Sequence, residues 1–165
     1  MIKPLFQRIL VGYNGTKSSL HAVMYAILMA KIYKCHVKVV YVVDTATIKR
    51  LSLTKYIVPE EGDDLGGRLQ QNGGSYLDYA SDLAKTKAVK IETELLKGEI
   101  WSEIIRAADD YKADLILLGG KDLSNSYSSL DRKLAGEQQS EIIGSAHCSV
   151  LVVRQKYIEQ LFKIA

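Results

Sequence analysis

The sequence predicts an α/β fold, a doubly wound five-stranded parallel sheet with helices on both faces. Three observations carry this. Short runs that are almost wholly apolar recur along the chain, "RILVG", "HVKVVYVVD", "DLILLGG" and "SVLVVR", as strands buried on both faces require. Between them lie segments whose apolar residues recur at steps of three and four, the helical period. Several of the runs end in glycine or aspartate, at Gly12–Gly15, Val42–Asp44 and Gly119–Asp122. Those are the carboxyl ends of strands, where ligands bind in open sheets of this kind.

The elements follow in order. Ile9–Val11 forms a strand that stops at turn residues. The next helix places Leu20, Val23, Met24, Ile27, Leu28 and Ile32 on one face, with Thr16 or Ser18 as cap and Lys31 and Lys34 at its end. "HVKVVYVVD" is the second strand. Residues 45–74 contain Pro59, "EEGDD" and five glycines, and are expected to be an irregular loop with at most short helical pieces. "SYLDYASDLAKTKA" resumes a helix and "VKIETELLKG" alternates as a strand. A helix then turns Ile100, Ile104, Ile105 and Ala108 inward, and "DLILLGG" is a buried strand. "DRKLAGEQQSEIIGSAH" is helical, "SVLVVR" is the last strand, and a terminal helix lies within 155–165. The 165 residues suit one domain, 1–165, with neither linker nor repeat.

Composition narrows the function classes. A net charge of +3, from scattered basic residues, gives no argument for nucleic acid. Arg8 interrupts the apolar N-terminal stretch, so no signal peptide is read there, and no apolar run reaches the ~20 residues needed to span a bilayer. Cys35 and Cys148 have no metal-ligand spacing and are read as reduced, buried thiols. A cytoplasmic protein with neither nucleic-acid nor membrane partner is expected. His21, His36 and His147 are far apart, and no Gly-x-Ser-x-Gly or cysteine–histidine pair supplies a nucleophile. No catalytic constellation is present.

Four stretches together, "ILVGYNGTKSSLHAV", "VVYVVD", "KGEIWSEIIRAADDYKADLILLGG" and "LAGEQQSEIIGSAHCSVLVV", resemble the universal stress protein family over nearly the whole chain. The resemblance implies a Rossmann-like sheet of the adenine-nucleotide-hydrolase type, and usually a homodimer. It also implies a choice, since some members bind ATP and others do not. ATP-binding members carry Gly-x-x-Gly, nine residues, then Gly-Ser or Gly-Thr. Glycines admit backbone amides to phosphate oxygens, and the helix start offers free N–H groups.

This chain departs from that pattern. Gly119 matches the first glycine, but Asp122 replaces the second, thirteen residues separate it from Gly136, and Glu137 stands in the hydroxyl position. Two acids repel a triphosphate, by roughly 1 kcal/mol per charge pair at ~4 Å in water and about 4 at intermediate dielectric. Glu137 at a helix start would replace the phosphate internally. Alternatively, "SSLD" starts the helix one or two turns before Gly136 and carries its N–H groups away. The nucleoside side is better kept. By position in the family, the first-loop carboxylate becomes Asn14, beside Gly12, and the second-strand backbone contact becomes Val42.

Two functional readings stand. The first is a dimeric, non-catalytic stress-response or regulatory module acting through an unknown protein partner, with weak or no ATP binding and no required cofactor. The second is a member that binds ATP or another adenine nucleotide through a modified phosphate loop, with slow hydrolysis. In either, Val150, Leu151, Val152 and Val153 form an apolar edge strand suited to pairing with a second copy, and the terminal helix is expected to extend that interface. The polar stretch 121–133, with Lys121, Ser124, Ser126, Arg132 and Lys133, reads as a solvated loop.

Overall fold

The computed structural model describes residues 2–54, 57–120 and 129–165, and from 129 to 135 the backbone alone. The elements are β1 (Arg8–Gly12), α1 (Lys17–Tyr33), β2 (His36–Val43), α2 (Thr45–Leu53), α3 (Pro59–Lys85), β3 (Glu92–Lys97), α4 (Ile100–Tyr111), β4 (Leu115–Gly119), α5 (Ser129–Ser145), β5 (Ser149–Val153) and α6 (Ile158–Ile164). The strands form one parallel sheet in the order β3-β2-β1-β4-β5. The direction of winding reverses at β1. The carboxyl ends of β1 and β4 therefore flank the switch point.

Alternation along each strand divides the core in two. Ile9, Val11, Val37, Val39, Leu115 and Leu117 meet α1, α3 and α6 on one face. Leu10, Val40, Leu96, Ile116 and Leu118 meet α4 and α5 on the other. α1 starts at Thr16, whose Oγ1 accepts from Ser19 N at 3.2 Å. It ends where Lys34 turns left-handed, at φ 60°. Ile32, expected inward, lies on the outer side of α1 and is 65% exposed.

Residues 45–74 are not an irregular loop. Asp44 caps α2 by accepting from Thr47 N at 3.0 Å, and α3 runs unbroken from Pro59 through all five glycines to Lys85. Pro59 suits the first helical position, and Glu60 and Glu61 favour the positive helix start. Each helical glycine costs about 1 kcal/mol against alanine, but two of them create close packing. A Cβ on Gly73 would lie 2.5 Å from the Tyr41 ring, and one on Gly62 would lie 3.0 Å from Ser52 Oγ. Burial of Leu77, Ala80 and Ala84 anchors the other end. Glycine here permits contact rather than turning, which local sequence cannot distinguish.

The terminal helix also differs from expectation. α6 packs on α1 instead of extending the β5 edge: Ile158 and Phe162 enter the core, and His21 Nε2 meets Glu159 Oε1 at 2.9 Å. Among the described residues no helix is long and apolar enough to cross a membrane.

Candidate functional site

The β1–α1 turn is closed by side chains. Asn14 Oδ1 accepts from Thr16 N (3.1 Å), Thr16 Oγ1 (2.6 Å) and Ser19 Oγ (2.7 Å). Ser19 Oγ in turn accepts from Asn14 N at 3.2 Å. Three donors converging on one oxygen fix which end of the amide is which. The carbonyl is spent on the turn, and exposed Asn14 presents its NH2 outward. A carboxylate would present a second acceptor oxygen; asparagine presents donors instead. Gly15 needs its glycine, with φ 84° and the Tyr76 ring 2.5 Å from where a Cβ would stand.

Tyr76 joins Tyr13 edge-on at 5.6 Å and stacks with Tyr41 at 6.0 Å. This tyrosine cluster wedges the turn against α3. Burial pushes the Tyr13 hydroxyl up to about 12, with Tyr79 and Tyr76 adding to it, so the hydroxyl stays protonated at neutral pH.

Gly12 ends β1 between Leu118 and Ile104, which a Cβ would meet at 3.2 and 3.3 Å. Past it, Tyr13 N donates to Val40 O at 2.9 Å. Residues two apart in a parallel strand point their backbone groups the same way, so Val42 also faces the β1 side. The next ladder bond, from Val42 N–H to the Tyr13 carbonyl, does not form. The half-buried Val42 therefore keeps an N–H outside the ladder on its β1 side.

At β4 the backbone is already engaged. A Cβ on Gly119 would lie 2.5 Å from the Ser18 carbonyl carbon, because the first turn of α1 rests on it. The Gly119 carbonyl accepts from Gln139 Nε2 at 2.8 Å, and Gly120 N donates to Val153 O at 3.1 Å. Asp122 lies outside the described residues, as does most of the polar stretch 121–133.

Gly136 and Glu137 sit about two turns inside α5, which begins at Ser129. Glu137 is thus not at a helix start, and the internal-substitute expectation fails on position. The N–H groups of Gly136 and Glu137 lie where the helix bonds each to the carbonyl four residues before it. Gly136 has open space around it and Glu137 is exposed. The neighbouring glutamines do the holding. Gln138 Oε1 accepts from Trp101 N at 2.9 Å, capping α4, whose own cap residue Glu99 makes no side-chain bond. Gln138, Gln139 and Tyr76 were not legible as site residues. Adjacent glutamines on a helix carry no local signal, since their partners belong to α4 and β4.

Two of the three histidines have structural partners. His21 binds Glu159, and His147 Nδ1 lies 3.0 Å from Asp109 Oδ2. Burial pushes the Cys35 and Cys148 thiols up, away from thiolate. Cys148 is half-buried rather than enclosed. Among the described residues no three metal-ligating side chains come together.

A parallel sheet of this order, with its switch point between β1 and β4, is the doubly wound type of fold that takes ligands at the carboxyl ends of its strands. The universal stress protein family model matches residues 5–154, and the chain belongs to that family. It is 33% identical to the universal stress protein MJ0531 of Methanocaldococcus jannaschii over 153 residues, covering 92% of this chain and 84% of that one. Identity with the universal stress protein YxiE of Bacillus subtilis is 28%, over 91% of this chain and all of that one. A solved universal stress family protein from Burkholderia pseudomallei shares the fold with a TM-score of 0.69 at 21% identity, over 93% of this chain and all of that one. Two more distant structures of the same fold hold ligands. One is a universal stress protein in complex with cAMP (TM-score 0.60, 22% identity, 90% of this chain and 97% of that one). The other is from Archaeoglobus fulgidus in complex with dAMP (TM-score 0.59, 15% identity, 92% of this chain and all of that one).

Proposed function

We propose that this chain is a dimeric, non-catalytic stress-response or regulatory module, working in the cytoplasm through a protein partner and holding ATP weakly or not at all. The observation that carries this is the start of α5 at Ser129. Gly136 and Glu137 replace the family's Gly-Ser or Gly-Thr, yet they lie in a helix interior. Their N–H groups are committed there, and the exposed Glu137 adds a negative charge. Calorimetry with ATP and magnesium is expected to give a dissociation constant no tighter than about 1 mM, roughly 4 kcal/mol of binding. Micromolar affinity would sink the reading.

A second reading has its own support. The open Val42 N–H and the outward Asn14 NH2 are two donors set for a nucleoside, and relatives of the same fold hold cAMP and dAMP, each with one phosphate. On this reading an adenine mononucleotide binds at the carboxyl ends of β1 and β2 without the phosphate loop. Nucleotide retained through gentle purification, or AMP binding at least as tightly as ATP, separates it from the first.

The dimer uses the outer edge of β5. Val150, Leu151 and Val152 are half-buried, while Val153 is core and offers a partner only its backbone. A two-fold axis would pair the two edges. Light scattering at tens of micromolar is expected to give a dimer mass. A Val152→Lys variant that remains fully dimeric would move the interface elsewhere.

A further inference from the structure

At the opposite, amino-terminal end of the sheet, the ends of α1 and α3 and the turn after α3 enclose a groove of ≈ 350 Å³. Lys31, Lys34, Lys87 and Lys90 line it around Cys35 and Ala88, and no acid does. We propose that this groove is an anion site for a small di- or polyphosphate, separate from the crevice at the carboxyl ends.

Three of the lysines are unneutralised. Lys17, Lys38 and Lys85 each meet a carboxylate and Lys31 meets an oxygen of the last residue, Ala165, but among the described residues Lys34, Lys87 and Lys90 meet no acid. Lysines commonly complement the negative ends of helices, and two helices do end here. Two such ends amount to about one negative charge, against three free ammonium groups. Lys87 lies on the turn after α3, and Lys90 in the link to β3. An excess of about two positive charges is left over.

Two of the four are held in place at the end of the chain. Lys31 Nζ donates to an oxygen of Ala165, just past α6, at 3.1 Å, and Lys87 Nζ lies over the Phe162 ring of α6 at 4.8 Å. Fixed ammonium groups lose less entropy when an anion arrives. Lys34 (φ 60°) and Ala88 (φ 56°), the left-handed residues that close α1 and α3, border this groove. Lys34 also borders a second cavity of ≈ 330 Å³ with Arg8 and His36, which extends the basic surface. The volume suits a pyrophosphate-sized ligand, and several adjacent ammonium groups favour multiple charges on one molecule.

Pyrophosphate titrated into the intact protein at low ionic strength, followed by amide NMR, tests this. The expected result is saturable shifts at Cys35, Ala88 and Val89 with submillimolar affinity, weakening as salt is added. Lys34→Gln with Lys90→Gln is expected to weaken pyrophosphate at least tenfold without changing the melting temperature of the free protein. Lys49→Gln, on α2 at the other end, is expected to leave binding intact. Non-saturating shifts, or shifts spread over lysines throughout the surface, overturn the proposal. So does unchanged affinity in the double variant. A rise in melting temperature with pyrophosphate, lost in the double variant, is the matching thermal readout.

Discussion

α1 and α5 are both 17 residues long, yet they are attached to the sheet by different physics. α1 lies across the middle of its face and buries Ala22, Val23, Ala26, Ile27 and Leu28. Of residues 136–145 in α5, only Ile142 is buried, and Gln138 and Gln139 tie the helix by hydrogen bonds to α4 and β4. An apolar interface of this area fixes a helix in register, because a one-residue shift moves the whole stripe out of the core. The described part of α5, residues 136–145, is held by one isoleucine and two amides, a looser attachment than that of α1. The four additional residues between Asp122 and Gly136, relative to the family spacing, precede that part. The lesson is that Asn14, at the start of α1, rests on the firmly packed face, while Gly136 and Glu137 lie on a helix whose described part is tied mainly by side-chain hydrogen bonds.

Substitutions can break that contrast, beginning with the largest effect. Ile27→Ala should cost about 3–5 kcal/mol, because a fully buried side chain leaves a cavity in a close-packed face. Ile142→Ala should cost nearer 2, since half-buried neighbours can close over it. Urea unfolding of both variants measures the difference, and equal losses would mean that α5 is as firmly packed as α1. Gly119→Ala comes next. Its Cβ would strike the backbone of Ser18, so α1 and β4 must separate, at about 1–3 kcal/mol. A neutral result would show that the two elements can part without penalty.

Gln138→Ala and Gln139→Ala should each cost about 1 kcal/mol, the net worth of one hydrogen bond. Their effect should concentrate in α5 and at the amides of Trp101 and its neighbours, read by hydrogen exchange. Uniform loss of protection across the sheet would contradict a helix held by local ties.

The smallest effect belongs to the α6 contact. The hydrogen bond from His21, with Lys17 adding, holds the exposed Glu159 carboxyl below its ordinary value. A depressed carboxyl stabilises the fold above its unfolded value, near 4.3, and that contribution is lost as pH falls through the lowered one. His21→Ala should flatten this acid limb slightly, because exposed pairs contribute little. An unchanged acid profile would place α6's stability in Ile158 and Phe162 alone.

Much of the molecule was legible in the sequence because strands buried on two faces and helices buried on one leave direct periodic traces. The apolar runs determined the strands, and the strand–helix alternation determined the α/β class. What only the tertiary structure decided are matters of distant partners. Five glycines look like loop until Gly73 is set against Tyr41. The two glutamines look like a solvated face until Trp101 and Gly119 come within reach. Glu137 could stand at a helix start or inside one, and the difference depends on where α5 begins. The lysines of residues 31–34 and 87–90 are ordinary helix-end charges in sequence, and become one groove only when α1 and α3 finish side by side. Local pattern reports what a residue does for its own element; which residues meet across elements is set by packing, which the chain encodes only collectively.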